Sequence, residues 1–143
     1  MVTHILVGID GSEPARRAAH HARDLARQCG ARLTLVLAVE PPSAAALPPF
    51  DAVTLRGPHP GPEALRAAQI LGEQVVAELG ADRAEVVVAV GAAAESLLAE
   101  ARRHHADLLV VGARGLGAAE RLLLGSVSER VLYGAECPVL VVR

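Results

Sequence analysis

Lysine and tryptophan are absent from this sequence of 143 residues, and other aromatic side chains are scarce. All 14 basic residues are arginine, which excludes a Walker A phosphate loop because that motif requires a lysine. Only Phe50 and Tyr133 are aromatic, and the formal net charge is −2. The chain therefore lacks the stacking side chains and the positive field that nucleic acid or an anionic membrane requires, and we expect neither as a partner.

Cysteines and long apolar runs are also few. Cys29 and Cys137 form neither a metal-type pair nor a disulfide framework, which is typical of a protein in a reducing compartment. The first ten residues, MVTHILVGID, lack the basic segment of a signal peptide, and no stretch approaches the roughly 18 apolar residues of a membrane span. We expect a cytoplasmic protein, and the length predicts a single domain over residues 1–143.

The apolar residues that are present form short runs rich in Val, Ile and Leu. A continuous apolar run, as opposed to an alternating one, predicts a strand that is buried on both faces. Five such runs cover residues 4–10, 32–39, 84–90, 107–112 and 137–143.

Helical patterns separate these runs. The first has Pro14 near its start and Gly30 just past its end, as the chemistry of helix ends predicts. The second pattern is an apolar stripe from Ala64 to Leu79. The third helix is expected over about Ala93 to His104 and the fourth over about Ser126 to Tyr133. Strands that alternate with helices predict an α/β fold, in which helices cover both faces of a parallel sheet.

Ligands of open parallel sheets bind beyond the carboxyl ends of the strands, where neighbouring connections leave to opposite faces. Three features fall at that level: DGS after strand one, EPP after strand two and a glycine-rich loop after strand four. The segment 40–62 is too long and too rich in proline for a tight turn, so we expect a surface loop there.

The loop after strand four has the composition of an anion site. Gly112 and Gly115 can take positive φ and let the backbone approach a ligand, and Gly125 opens the last helix. Amides around residues 125–128, together with the hydroxyls of Ser126 and Ser128, can offer hydrogen bonds of about 1.5–3 kcal/mol each to a charged oxygen. Nucleotide binding is therefore feasible without lysine.

Purely structural roles are also open for the same residues. Ser126 and Glu129 fit the S-x-x-E capping box, so Ser126 can cap the last helix or bind a ligand. Gly112 and Gly115 can be turn residues, and Asp10 can form the turn after strand one.

The spacing of these glycines resembles the signature of the universal stress protein family, in its ATP-binding branch. That signature, G-x2-G-x9-G-[ST], reads here Gly112-Ala113-Arg114-Gly115, nine residues, then Gly125-Ser126. The resemblance extends over the whole chain, from ILVGIDGSEPARRA through ADLLVVGARG to LLLGSVSERVLYGAECPVLVVR.

The resemblance implies an open five-stranded, doubly wound sheet of order 3-2-1-4-5, with ATP and Mg²⁺ between strands one and four. It implies that Asp10 lies near the ribose and that the backbone of Val39 reads the adenine edge. Arg114 falls where the family varies and either covers the phosphates or stays solvated. The full set of expected contact residues is Gly8, Asp10, Val39, Val111, Gly112, Arg114, Gly115, Gly125, Ser126, Val127 and Ser128.

The function that follows is an ATP-binding regulatory protein of the stress response. One alternative is a slow ATP hydrolase, for which only Asp10, Glu120 and Glu129 are candidates to orient water, and none lies in a catalytic motif. The other is a module that binds proteins without nucleotide, against which the intact glycine signature argues. An unknown protein partner is expected, and the apolar last strand, an exposed edge in the family's order, implies a homodimer.

Overall fold

The computed structural model of the protein describes residues 1–42, 59–114 and 124–143. Strands and helices alternate in these ranges as the apolar runs predict. The elements are β1 (His4–Gly8), α1 (Glu13–Cys29), β2 (Arg32–Val39), α2 (Pro62–Leu79), β3 (Glu85–Val90), α3 (Ala93–Arg103), β4 (Leu108–Gly112), α4 (Ser126–Gly134) and β5 (Val139–Val142).

The five strands form one parallel sheet in the order β3-β2-β1-β4-β5, which confirms the predicted topology. β1 lies in the centre, where Gly8 is in register with Val36 of β2 and Val7 with Val110 of β4. From β1 the chain winds to one side through β2 and β3, and then to the other through β4 and β5. The order therefore reverses between β1 and β4, which is where such sheets form a crevice at the carboxyl ends of the strands.

Helices cover both faces of the sheet. α1 and α2 pack over one apolar cluster, which includes Ile5, Val7, Leu35 and Val75, and α3 and α4 pack over a second, which includes Leu6, Leu109 and Val131. Most residues of β1, β2 and β4 are buried, and burying each Leu or Val side chain contributes about 1.5–3 kcal/mol. The edge strands β3 and β5 are mostly half-buried.

Small residues let α1 lie close to the sheet. Its buried stripe consists of alanines, which place little bulk between the helix and the strands. Ser12 caps the helix by accepting a hydrogen bond from the amide of Ala15 at 3.3 Å, and Gly30 ends it with φ of 67°. The predicted start and stop residues of α1 are thereby confirmed, and the start of the helix is held near β4.

α2 departs in part from its predicted apolar stripe. Gly80 ends the helix with φ of 57°, as predicted, but Ala64 is exposed and only the stripe from Ala68 onward packs against the core. The first turn of α2 thus lies clear of the core. No helix within residues 1–42, 59–114 and 124–143 combines the length and the hydropathy needed to cross a membrane.

A buried histidine joins the amino ends of β1 and β2 to the carboxyl end of α3, and no pattern in the sequence predicts it. His4 is 2% exposed; its Nε2 lies 2.8 Å from Oγ1 of Thr34 and its Nδ1 lies 3.0 Å from the carbonyl oxygen of His104. A carbonyl can only accept, so a neutral ring with the proton on Nδ1 satisfies both contacts. Burial lowers the pKa of His4, which the hydrogen bond to the His104 carbonyl only partly opposes.

Candidate functional site

A cavity of about 90 Å³ lies in the crevice between the carboxyl ends of β1 and β4. Its walls come from the loops after these two strands, the first turn of α4 and the inner face of α3. The cavity brings together most of the predicted contact residues, namely Gly8, Asp10, Val111, Gly112, Arg114, Val127 and Ser128.

The loop after β1 forms one rim of the cavity. The Asp10 carboxylate accepts a hydrogen bond from the amide of Ser12 through Oδ1, at 2.9 Å, and Gly11 between them has φ of 84°. Asp10 therefore shapes the turn, as its structural reading predicts. The side chain is exposed, and its second oxygen has no hydrogen-bond partner within the described residues, so it remains open to a ligand.

Gly112 is a glycine because the fold leaves no room for a larger residue. A Cβ at this position would lie 2.7 Å from the carbonyl carbon of Pro14 and 2.8 Å from the amide nitrogen of Ala15. Its φ is outside the left-handed region, so the expectation of positive φ is wrong for Gly112. The close approach of α1 to the end of β4 explains the residue instead.

The start of α4 is tied to the end of β4 by hydrogen bonds. The buried hydroxyl of Ser128 donates to the carbonyl of Gly112 at 2.5 Å and lies 3.2 Å from the carbonyl of Ala113, and the amide of Gly125 donates to Ala113 at 2.6 Å. A hydroxyl has one proton to donate. The Ser128 hydroxyl and the Gly125 amide are thus engaged within the fold.

Three backbone amides at the head of α4 remain available. The first hydrogen bond within the helix runs from the amide of Glu129 to the carbonyl of Gly125, at 3.0 Å, so the amides of Ser126, Val127 and Ser128 have no partner within the described residues. They also carry the positive end of the helix dipole. Because Val127 and Ser128 line the cavity, this arrangement can hold an anion at the cavity wall.

The Ser126 hydroxyl is also not used as a helix cap. Gly125 occupies the N-cap position, with φ of −76° and ψ of 163°, and no side chain caps α4. The capping-box interpretation of Ser126 and Glu129 is therefore wrong, and the exposed Ser126 side chain remains free for a ligand.

Two predicted contact residues are less directly placed. Val39 is half-buried and its carbonyl accepts from the amide of Gly91 at 3.0 Å, whereas its neighbour Ala38 lines the cavity. Gly115 and most of the expected surface loop, residues 43–58, lie outside the described residues. Their predicted contacts stay predictions.

α3 contributes a wall of the cavity that the sequence does not predict. Leu97 and Ala93 line the cavity, and a Cβ on Gly8 would lie 3.0 Å from Cδ1 of Leu97. A side chain at position 8 would therefore crowd Leu97. No local pattern in the sequence shows which strand end Leu97 faces.

These observations define a class: a doubly wound parallel α/β protein with unpaired helix amides at the point where the strand order reverses. The whole chain, residues 1–143, matches the model of the universal stress protein family, and the protein belongs to that family.

Individual relatives agree with this assignment. The chain is 40% identical over 144 residues to the universal stress protein in the QAH/OAS sulfhydrylase 3′ region of Thermus aquaticus, and the match covers all of both chains. Among solved structures, universal stress protein UspA from Lactobacillus plantarum is 26% identical with a TM-score of 0.75, covering 99% of this chain and 98% of the other. A universal stress protein in complex with cAMP is 30% identical with a TM-score of 0.66, covering 99% and 97%.

Proposed function

We propose that this protein is an ATP-binding regulatory module of the stress response. ATP would lie in the crevice between β1 and β4, with its phosphates against the first turn of α4. The observation that carries the proposal is that the amides of Ser126, Val127 and Ser128 have no partner within the described residues and that Val127 and Ser128 line a cavity in that crevice. The relative that is 30% identical and bound to cAMP supports an adenine nucleotide as the ligand.

Backbone groups would replace the lysine that other phosphate sites use. A hydrogen bond from an amide to a charged phosphate oxygen contributes about 1.5–3 kcal/mol, so three contribute about 4.5–9 kcal/mol before the cost of association. That cost is about 4 kcal/mol or more, whereas micromolar affinity corresponds to about −8 kcal/mol. The base and ribose must therefore supply several kcal/mol.

The loop after β1 and the carboxyl end of β2 would supply that remainder. The free carboxylate oxygen of Asp10 can accept from a ribose hydroxyl, and Val36 and Ala38 provide an apolar wall for the base. The backbone of Val39 stays the proposed reader of the adenine edge. Mg²⁺ would arrive with the phosphates, and the Asp10 carboxylate and Ser126 hydroxyl are oxygen donors that suit this ion.

The proposal is for a binding protein and not an efficient hydrolase. A hydrolase must orient or deprotonate water beside the terminal phosphate. One oxygen of Asp10 already holds the amide of Ser12, Glu129 is an exposed residue of α4, and Glu120 lies outside the described residues. We expect steady-state turnover below about one per second, and a much faster rate would favour the enzyme.

Calorimetric titration with ATP, with and without Mg²⁺, tests the binding proposal. We expect a dissociation constant near micromolar, because about −8 kcal/mol is within reach of the groups described. The absence of both heat and a thermal shift at millimolar ATP and Mg²⁺ would refute the proposal. Analysis of any nucleotide that co-purifies with the protein would identify the ligand independently.

The outer edge of the sheet suits self-association. β5 pairs with β4 on one side, and within the described residues nothing pairs with its other side. An unpaired apolar edge strand readily joins another chain. We propose that two copies of this cytoplasmic protein pair through β5, and that bound ATP changes the surface shown to a further protein partner.

A further inference from the structure

A second cavity, of about 490 Å³, lies at the opposite end of the sheet. It is formed where α1 and α2 end and where β2 and β3 begin, away from the crevice between β1 and β4. Four arginines line it, namely Arg23, Arg27, Arg32 and Arg83, together with a single acidic residue, Asp82. This concentration of guanidinium groups contrasts with the net negative charge of the whole chain.

Two of the four arginines are held in place by the end of α2. Arg23 donates from Nη1 to the carbonyl of Leu79, and Arg27 donates from Nη2 to the carbonyl of Gly80, each at 2.9 Å. The two carbonyls lie at the carboxyl end of α2, which carries the negative end of the helix dipole. Because the arginines bond to them, this end of α2 repels a bound anion less strongly. The hydrogen bonds also fix two guanidinium groups at the cavity wall. Nη2 of Arg23 lies 3.5 Å from Nδ1 of His20 as well, and each guanidinium group has further N–H groups that can donate.

The Arg23 side chain has one buried nitrogen atom without a hydrogen bond. Nε of Arg23 is buried and has no hydrogen bond, although it forms an ion pair with Oδ1 of Asp24 at 2.7 Å. The Arg23 side chain is only 20% exposed, whereas that of Asp24 is 55% exposed. The exposed carboxylate of Asp24 offsets part of the charge of Arg23, and Asp82 is the only carboxylate among the described residues that line the cavity with the other three arginines.

The guanidinium groups of the other two arginines, Arg32 and Arg83, have no hydrogen bond or salt bridge within the described residues. Arg32 and Arg83 each stand two residues before the in-register pair of Thr34 and Glu85. Arg32 opens β2 and Arg83 lies in the turn before β3, so both stand at the same end of the sheet and line the cavity. The nearest strand carboxylate, on Glu85, lies 3.9 Å from Nδ1 of His104 and does not line the cavity.

We propose that this cavity is a second ligand site, which binds a small polyphosphate anion with two or more phosphate groups. Guanidinium is the side-chain group whose planar fork matches a phosphate with paired hydrogen bonds. A ligand with several phosphates can contact the fixed pair from α1 and the unpaired arginines of the strand edge at once.

Inorganic triphosphate is the probe that tests this site, in Mg²⁺-free buffer and with ¹⁵N-labelled full-length protein. We expect chemical shift changes centred on residues 31–33 and 80–84. The variant R32Q/R83Q should bind at least about 10-fold more weakly, since each charge-assisted bond lost is worth about a factor of ten or more. Both residues are exposed, so the variant should keep the melting temperature of the parent.

The matched control removes the same charge elsewhere. Arg66 is exposed on α2 and Arg102 pairs with the exposed Glu136 on the opposite face of the sheet. The variant R66Q/R102Q should bind triphosphate within about twofold of the parent, since neither residue lines the cavity. Equal losses of triphosphate affinity in the two variants would show that binding depends only on the overall charge, which would overturn the proposal.

The position of the shifts separates this site from the proposed ATP site. Triphosphate that moves only residues 125–128, or moves no resonance at millimolar concentration, would overturn the second site and leave the ATP site untouched. ATP shares the same phosphate chemistry, so ATP is titrated in parallel. Shifts of residues 80–84 with both ligands would show that the cavity recognises the phosphate groups. Shifts of these residues with ATP alone would contradict that conclusion.

Discussion

Replacing Ser126 with proline removes one of the three amides that we propose to bind phosphate, without disturbing the helix. Ser126 is the first residue of α4, the position where proline is most readily accepted because its missing N–H has no partner within the helix. The residue before a proline must be extended, and Gly125 already is, with φ of −76° and ψ of 163°. The stability of the protein should therefore change little.

The effect on ATP follows from the single N–H that is lost. One charge-assisted hydrogen bond of about 1.5–3 kcal/mol corresponds to about a 10- to 150-fold weaker dissociation constant. Ser126→Ala is the matched control, because it removes the hydroxyl and retains the amide. The difference between the two variants isolates the amide.

Calorimetric titration of the parent and of both variants with ATP and Mg²⁺ measures these affinities, and thermal unfolding confirms that each variant is folded. We expect the proline variant to bind ATP at least about 10-fold more weakly than the alanine variant. Equal affinities of the two variants, with unchanged melting temperatures, would show that the α4 amides do not contact the phosphates.

Three further predictions concern the scaffold. Gly112→Ala should lower the free energy of unfolding, measured with urea, by about 1–3 kcal/mol because its Cβ would meet the backbone of α1. The control Gly61→Ala, whose Cβ meets open space, should lower it by less than about 1 kcal/mol. Equal losses in the two variants would argue against the close approach of α1 to Gly112. Because burial lowers the pKa of His4, the unfolded state binds the extra proton, so the free energy of unfolding should fall as the pH drops below about 6.5. His4→Gln should reduce this dependence of stability on pH, whereas the control His20→Gln, at an exposed residue, should not. An unchanged pH dependence in His4→Gln would contradict the prediction. Light scattering should give twice the chain mass of 14.8 kDa, and a monomer at high micromolar concentration would exclude the β5 dimer.

The fold was predictable because its signals are local. Each strand is a continuous apolar run, and the bounds of β2, Arg32–Val39, coincide with the run itself. Pro14 and Gly30 mark the ends of α1 through backbone conformations that need no tertiary partner. The order of the strands is not local, and its prediction rested on the resemblance to a family.

The site was predictable only to the level of the segment. The glycine signature located the loop and the head of α4, but the capping box named the wrong N-cap residue. The hydrogen bond from Gly125 to Ala113, which ties the glycine amide to the end of β4, joins residues twelve apart through the tertiary fold. Sequence spacing alone does not distinguish Gly125 from Ser126 as the cap.

Tertiary contacts also explain what the sequence concealed. His4 precedes an apolar run and shows no pattern of its own, and its partners Thr34 and His104 lie 30 and 100 residues away. The four arginines of the second cavity come from α1, the start of β2 and the residues before β3, so their proximity depends on the parallel register of the sheet.

The amide resonances of Ser126, Val127 and Ser128 test the central claim most directly. Titrating ¹⁵N-labelled protein with ATP should move these three proton resonances downfield as each N–H binds a phosphate oxygen, whereas adenosine, which has no phosphate, should leave them nearly unchanged. Saturation with ATP while these three resonances stay in place would contradict the account.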